Sequence, residues 1–193
     1  MKYKKIIKQL ITKSYCYLFD INYVKGFNLG INAKVVGGER LYLDKNVCIR
    51  NNFVLVIQNT GRIEIGEGTD IGQSSRIGCQ GYIKIGREVL TGPNVFIADY
   101  NHEYRNVSKS IINQGNHFIK RNNGEANIEI GDGSWLGINV VIVGNVRIGK
   151  HCIIGANSVV SHDIPDYSVA CGSPWKVIKQ YNPKTKTWNR IND

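Results

Sequence analysis

The stretch IGDGSWLGINVVIVGNVRIGKHCIIGANSVVS, residues 130–161, carries an aliphatic residue at every sixth position: Ile130, Leu136, Ile142, Ile148, Ile154 and Val160. Small residues follow at Gly131, Gly137, Gly149, Gly155 and Ser161, and only Val143 breaks the set. The beat recurs upstream at Ile65-Gly66, Ile71-Gly72, Ile77-Gly78, Ile85-Gly86, Thr91-Gly92 and Ile97-Ala98. A period of six is neither the 3.6 of an α-helix nor plain strand alternation. It marks an all-β solenoid, a parallel β-helix in which each hexad makes one short strand and one corner. An ordinary β-sandwich would reach such spacing only by chance, and the run of matching hexads is too long for that.

In this reading the aliphatic lead residue points inward, and the next residue is small because the chain turns tightly there. Three hexads, about 18 residues, close one triangular coil, and coils stack by parallel pairing about 4.8 Å apart. Val89, Val95, Val140, Val146, Cys152 and Ser158 form a second six-spaced comb that fills the interior near the turns. No coil buries its own core, so each depends on its neighbours. Spacing does not decide handedness, and the crossover rule taken alone favours a right-handed path.

At 193 residues the chain has the size of a single domain, 1–193. Residues 1–20 read as a basic amphipathic helix, with Lys2, Lys4, Lys5, Lys8 and Lys13 among Ile6, Ile7, Leu10, Ile11, Tyr15 and Leu18. No uninterrupted apolar core or small-residue cleavage site marks it as a signal peptide. It is expected to cap the open end of the β-helix, with contact to an anionic membrane through its lysines as the alternative. N-terminal coils occupy 29–98, ragged before Leu55 and regular from Ile65, with two extra residues near Tyr82–Lys84 read as a bulge or corner insertion. From 99 to 127 the beat vanishes in a polar segment whose length points to function, an active-site loop. C-terminal coils run 128–164, and a tail, 165–193, is expected to form a short helix and strand after Pro165 and Pro174.

Five cysteines (Cys16, Cys48, Cys79, Cys152, Cys171) form no CxxC pair and no metal spacing, so they read as small core fillers in a reducing cytoplasm. The net charge of +10 is dispersed apart from clusters at the two ends, and no nucleic-acid motif accompanies it. A phosphate-bearing ligand suits it better than nucleic acid, and no ligand set for a metal is present.

Four stretches carry a resemblance: TGPNVFIADYNHEY (91–104), IEIGDGSWLGINVVIVGNVRIG (128–149), IIGANSVVSHDIPDYSVACGSPWKVIK (153–179) and YNPKTKTWNRI (181–191). With these the chain resembles the hexapeptide-repeat acyltransferases of left-handed β-helix fold, in particular the maltose/galactoside-type and the capsule or exopolysaccharide O-acetyltransferases. The resemblance implies acetyl-CoA as donor, no metal, and a homotrimer whose active sites lie between adjacent chains. It also implies a sugar or glycan acceptor and a cytoplasmic enzyme of cell-surface polysaccharide assembly. It makes His102 the general base, a task suited to an imidazole with an ordinary pKa of about 6.5; from their places beside it, Asp99 and Glu103 read as carboxylates that orient its other ring nitrogen or are simply solvated. His117 and His151 read as surface residues.

The same resemblance assigns the Ile138 N–H, just past Trp135, Leu136 and Gly137, to the oxyanion that forms during transfer. Gly137 would let the ligand approach the backbone. Gly155 and Ala156 match the path of the pantetheine arm, and Ser161-His162 stand where relatives carry Thr-Lys against the coenzyme. Lys176 and Lys179 match residues facing its phosphates. Trp135 would line the channel or cover a corner, and Trp175 would stack on adenine or pack. N-acetylation of a nucleotide-linked amino sugar, antibiotic acetylation and a non-enzymatic scaffold are the competing functions.

Overall fold

A computed structural model describes residues 2–118 and 124–191, with residues 2–5 described by backbone alone. Part of the segment expected to form the loop, 119–123, lies outside the described residues, as do the side chains of Lys2, Lys4 and Lys5. The chain is a three-sided parallel β-solenoid with one α-helix at its start, Lys2–Leu18. The first face stacks seven coil strands, from Asn28–Leu29 through Trp135–Leu136 and Ile153–Ile154 to Ser168–Gly172. The second face stacks six, among them Arg76–Cys79, Phe96–Ala98 and Val141–Val143, and the third face five, among them Tyr82–Ile85 and Ile128–Ile130.

The six-spaced aliphatics form the interior. Ile130, Leu136, Ile142, Ile148, Ile154 and Val160 are buried, as are the upstream Ile65, Ile71, Ile77, Ile85, Thr91 and Ile97 and the whole second comb. Ser158, the one hydroxyl of that comb, donates to the Gly155 carbonyl at 2.6 Å and accepts the Gly172 N–H at 3.0 Å, which offsets its burial.

Coil length departs from the expected 18 residues. Register partners on the first face lie 18 apart only between Leu136 and Ile154; they lie 20 or 22 apart in the earlier coils, 45 apart across the interrupting segment, and 16 apart at the last coil. The early coils are longer because their strands on the second and third faces are longer. Val54–Ile57, Arg62–Ile65, Arg76–Cys79 and Tyr82–Ile85 each bring a second inward residue: Ile57, Ile63, Cys79 and Ile83. The residues near Tyr82–Lys84 are therefore no bulge: they pair in register with Arg62–Glu64 on one side, and Lys84 with Glu129 on the other.

The glycines also act differently from expectation. The left-handed backbone at the corners belongs to other residues, chiefly asparagines such as Asn94, Asn139 and Asn157, at φ 58–59°. Their amides link the coils: Asn94 donates to Asn139 at 3.2 Å and Asn139 to Asn157 at 2.9 Å. The glycines after the lead aliphatics, Gly78 apart, are required by the coil stacked against them. A Cβ on Gly137 would lie 2.7 Å from the Ala156 nitrogen.

The helix covers the first coil through Thr12 and Cys16, with half-buried Tyr15 and Phe19 beside them, and the Thr12 hydroxyl accepts the Leu29 N–H at 3.2 Å. At the other end, the tail holds no helix among the described residues. Trp175–Asn182 folds back antiparallel on Ser168–Gly172, and Thr187–Arg190 pairs beyond it, because alternating side chains let Trp175 and Val177 close the core. All five cysteines are free. Cys16, Cys79 and Cys152 are buried, whereas Cys48 and Cys171 are half-exposed rather than core fillers.

Candidate functional site

The chain leaves the fourth coil after Ala98, at the edge between the second and third faces. Asp99 anchors that exit. It is 3% exposed, its Oδ1 accepts the Gln80 N–H at 2.8 Å and its Oδ2 the Gly81 N–H at 2.9 Å, with the Cys79 thiol at 3.6 Å. Burial raises its pKa, opposed by the two amides, and burial likewise raises that of Cys79, reinforced by the Asp99 charge. Both Asp99 oxygens are thus spent on the backbone of the coil below, so the carboxylate is an anchor and not a partner of His102. Two rings hold the loop down. Tyr100 lies against Gly78, where a Cβ would stand 3.0 Å from the ring, and Phe118 lies so close over Gly81 that no Cβ fits there.

Between these rings Asn101–His102 pairs antiparallel with Asn116–His117, with Asn101 opposite His117 and His102 opposite Asn116. Glu103 is committed to Arg105, whose guanidinium donates at 3.0 and 2.7 Å, and lies 3.3 Å from His117 Nδ1; the Arg105 hydrogen bonds hold its pKa at about 2. Neither carboxylate expected to orient His102 does so. The His102 ring is exposed and makes no hydrogen bond among the described residues. His117 is half-buried and packs against Arg105, so it is not the unpartnered surface residue expected. It lines a cavity of about 280 Å³ with Asp99, Tyr100, Asn101, Val143, Gly144, Asn145 and Ser161. No sequence signal sets His117 apart, because its placement comes from the hairpin register.

The residues assigned to the donor stand at the other edge of the second face. Gly137, Ile138, Gly155 and Ala156 stack at the corner between the first and second faces, where the Gly137 and Gly155 N–H groups donate to Ile154 and Ala170 at 2.8 Å. Gly137 is filled by the next coil and does not open space for a ligand, whereas the N–H groups of Ile138 and Ala156 meet no acceptor among the described residues. On the first face the register sets Leu90, Trp135, Ile153, Val169 and Lys179 in one file. Trp135 is half-exposed in its middle and does not cover a corner. Lys176 is exposed on the tail strand, Ser161 and His162 are exposed with Oγ 3.0 Å from Nδ1, and Trp175 packs against the core.

One chain therefore does not assemble all of these residues. Ser161 joins the loop base, but Ile138 stands at the opposite edge of the second face, across the strand Val141–Val143 from it.

The pattern described as bacterial transferase hexapeptide (six repeats) matches residues 127–162. WbbJ of Escherichia coli K12, named as a lipopolysaccharide biosynthesis O-acetyl transferase, is 31% identical, covering 74% of this chain and 84% of that protein. The galactoside O-acetyltransferase of Lactococcus lactis is 39% identical over 52% of this chain, which spans less than half of that enzyme, 44%. Among solved structures, a variant of AntD, an N-acyltransferase from Bacillus cereus in complex with coenzyme A and dTDP-4-amino-4,6-dideoxyglucose, superposes with a TM-score of 0.69 at 17% identity over 83% of each chain, a likeness of fold. The chain belongs to the hexapeptide-repeat acyltransferases, and its solenoid is their left-handed parallel β-helix.

Proposed function

We propose that the protein is a cytoplasmic, acetyl-CoA-dependent O-acetyltransferase acting on a sugar hydroxyl in cell-surface polysaccharide assembly. The observation that carries the hydroxyl acceptor is the relationship, over 84% of its length, to WbbJ, a protein named as a lipopolysaccharide biosynthesis O-acetyl transferase. The donor fits what the chain offers. The file from Leu90 through Trp135 to Lys179 is an apolar track ending on a cation, and two uncommitted corner amides run beside it.

In this reading His102 removes the proton from the attacking hydroxyl, with its ring free to do so. The Ile138 N–H receives the charge that develops on the thioester oxygen. Because these groups stand at opposite edges of one face, the working site pairs His102 of one copy with Ile138 of the next in a homotrimer. N-acyl transfer to a nucleotide-linked amino sugar is the second reading, favoured by the fold shared with AntD.

Release of free thiol from acetyl-CoA, followed against hexoses, polysaccharide fragments and nucleotide-linked amino sugars, separates the two. Turnover with hydroxyl acceptors alone supports O-transfer; turnover confined to amino sugars supports the second reading; none with either class rejects both. The shared site has its own test. Pro93 occupies the position equivalent to Ile138 one coil earlier, so Ile138→Pro removes the N–H with a residue that this corner already accommodates. Mixed particles of His102→Ala and Ile138→Pro chains should regain about a quarter of full turnover if sites lie between copies, and none if each chain is self-sufficient.

A further inference from the structure

The N-terminal helix presents its apolar stripe to solvent. Thr12 and Cys16 make the buried contact with the solenoid, while Ile6, Ile7, Leu10, Ile11, Tyr17 and Leu18 are exposed, from 40% at Ile11 to 90% at Tyr17. Those six fall on one arc at 100° per residue, opposite the buried pair. A surface helix ordinarily turns such a stripe inward, and a contiguous exposed apolar strip marks a contact surface. Lys8 and Lys13 are exposed on either side of the arc, with the Lys13 ammonium 5.3 Å from the Tyr23 ring. Five lysines and no carboxylate occur in the first 19 residues. Among the described residues no helix is long and apolar enough to cross a membrane.

We propose that this helix is an interfacial anchor that lays Ile6, Ile7, Leu10, Ile11, Tyr17 and Leu18 into an anionic lipid surface, with the flanking lysines at the headgroups. Charge selects this occupant over a second copy of the chain. Two such helices face to face would bring lysines against lysines with no acid to offset them, whereas an anionic bilayer complements both the stripe and its rim. The inference is independent of the acetyl-transfer reading. It places the N-terminal end of the solenoid on the membrane and leaves the fourth coil above it, roughly 15 Å away at about 4.8 Å per coil.

Sedimentation of the full chain with phosphatidylcholine vesicles, with and without phosphatidylglycerol, tests it. Binding is expected to the phosphatidylglycerol vesicles, weakened by salt, and to fall about tenfold or more in Ile7→Glu/Leu10→Glu. Lys8→Glu/Lys13→Glu should abolish the preference for the anionic lipid. Both pairs are exposed, so melting should stay unchanged; if a variant did melt early, binding of the unaltered chain to the two vesicle types would still decide. Absence of that binding, or binding that the stripe variant retains, overturns the proposal. So does a drop in particle mass by light scattering on Ile7→Glu/Leu10→Glu, which would make the stripe a contact between copies.

Discussion

At one edge of the second face, Gly137, Ile138, Gly155 and Ala156 are placed by whatever lies one coil away: the amide of each glycine meets a carbonyl of the next coil, and no Cβ fits at Gly137. At the other edge, Asp99, His102, Glu103 and His117 are placed by contacts that occur once each: two backbone amides, one guanidinium, one short hairpin. Repetition yields rigidity at the first edge, because displacing one coil displaces its neighbours. At the second edge only Asp99 and the two rings tie into the coil below, and the hairpin between them has no coil stacked on it to displace. A transferase that must hold a long donor still and accommodate a variable acceptor has use for both.

Four substitutions break or sharpen this contrast. His102→Ala should lower turnover by about 10²–10⁴-fold with donor affinity and melting unchanged, read by thiol release and calorimetry; a fall in stability instead would move His102 to the structural side. Leu136→Ala, in the buried file beside Gly137, should destabilise by about 2–5 kcal/mol in denaturant unfolding. Asp99→Ala should destabilise by about 1–3 kcal/mol, since it strands the Gln80 and Gly81 amides. The pH at which turnover is half-maximal should not move in that variant; if it moved, Asp99 would act through the imidazole after all.

Glu103 offers the smallest effect. Its pKa is held at about 2, below the ordinary 4.5, so its hold on Arg105 is complete above the ordinary value and is lost as pH falls through the held one. Acidification from about pH 4.5 toward 2 should lower the amide-exchange protection factor at Arg105, whose N–H Glu103 accepts at 3.0 Å, and Glu103→Gln should show that lowered protection already at neutral pH.

The solenoid was legible because its inward positions repeat and each needs the same kind of residue. From Ile65 onward the six-spacing found its lead residues and the second comb, all buried as read. Coil length was not legible, because Ile57, Ile63, Cys79 and Ile83 enter through longer strands without disturbing the local alternation. The loop was legible only as an interruption. Asp99, three residues before a histidine, reads as a catalytic partner in one dimension; only the return of the chain to Gln80 and Gly81 shows that its charge is already answered. Exposure of the helix stripe was equally hidden, because an amphipathic pattern states that two sides differ and not which one the solenoid takes.

The fourth coil closes 45 positions after the third face's Ile83, yet Ile128 pairs with that residue in the same register that shorter coils keep elsewhere. Closure entropy grows only logarithmically, about 0.6 kcal/mol for each doubling of a flexible excursion. An appendage of almost any size can therefore be spliced in at this vertex, provided Asp99 and the two covering rings still clamp its ends. In the proposed reading substrate preference becomes a cassette: grafting 101–117, the part between the two rings, from one such enzyme into another should carry acceptor choice with it and leave the donor rail untouched.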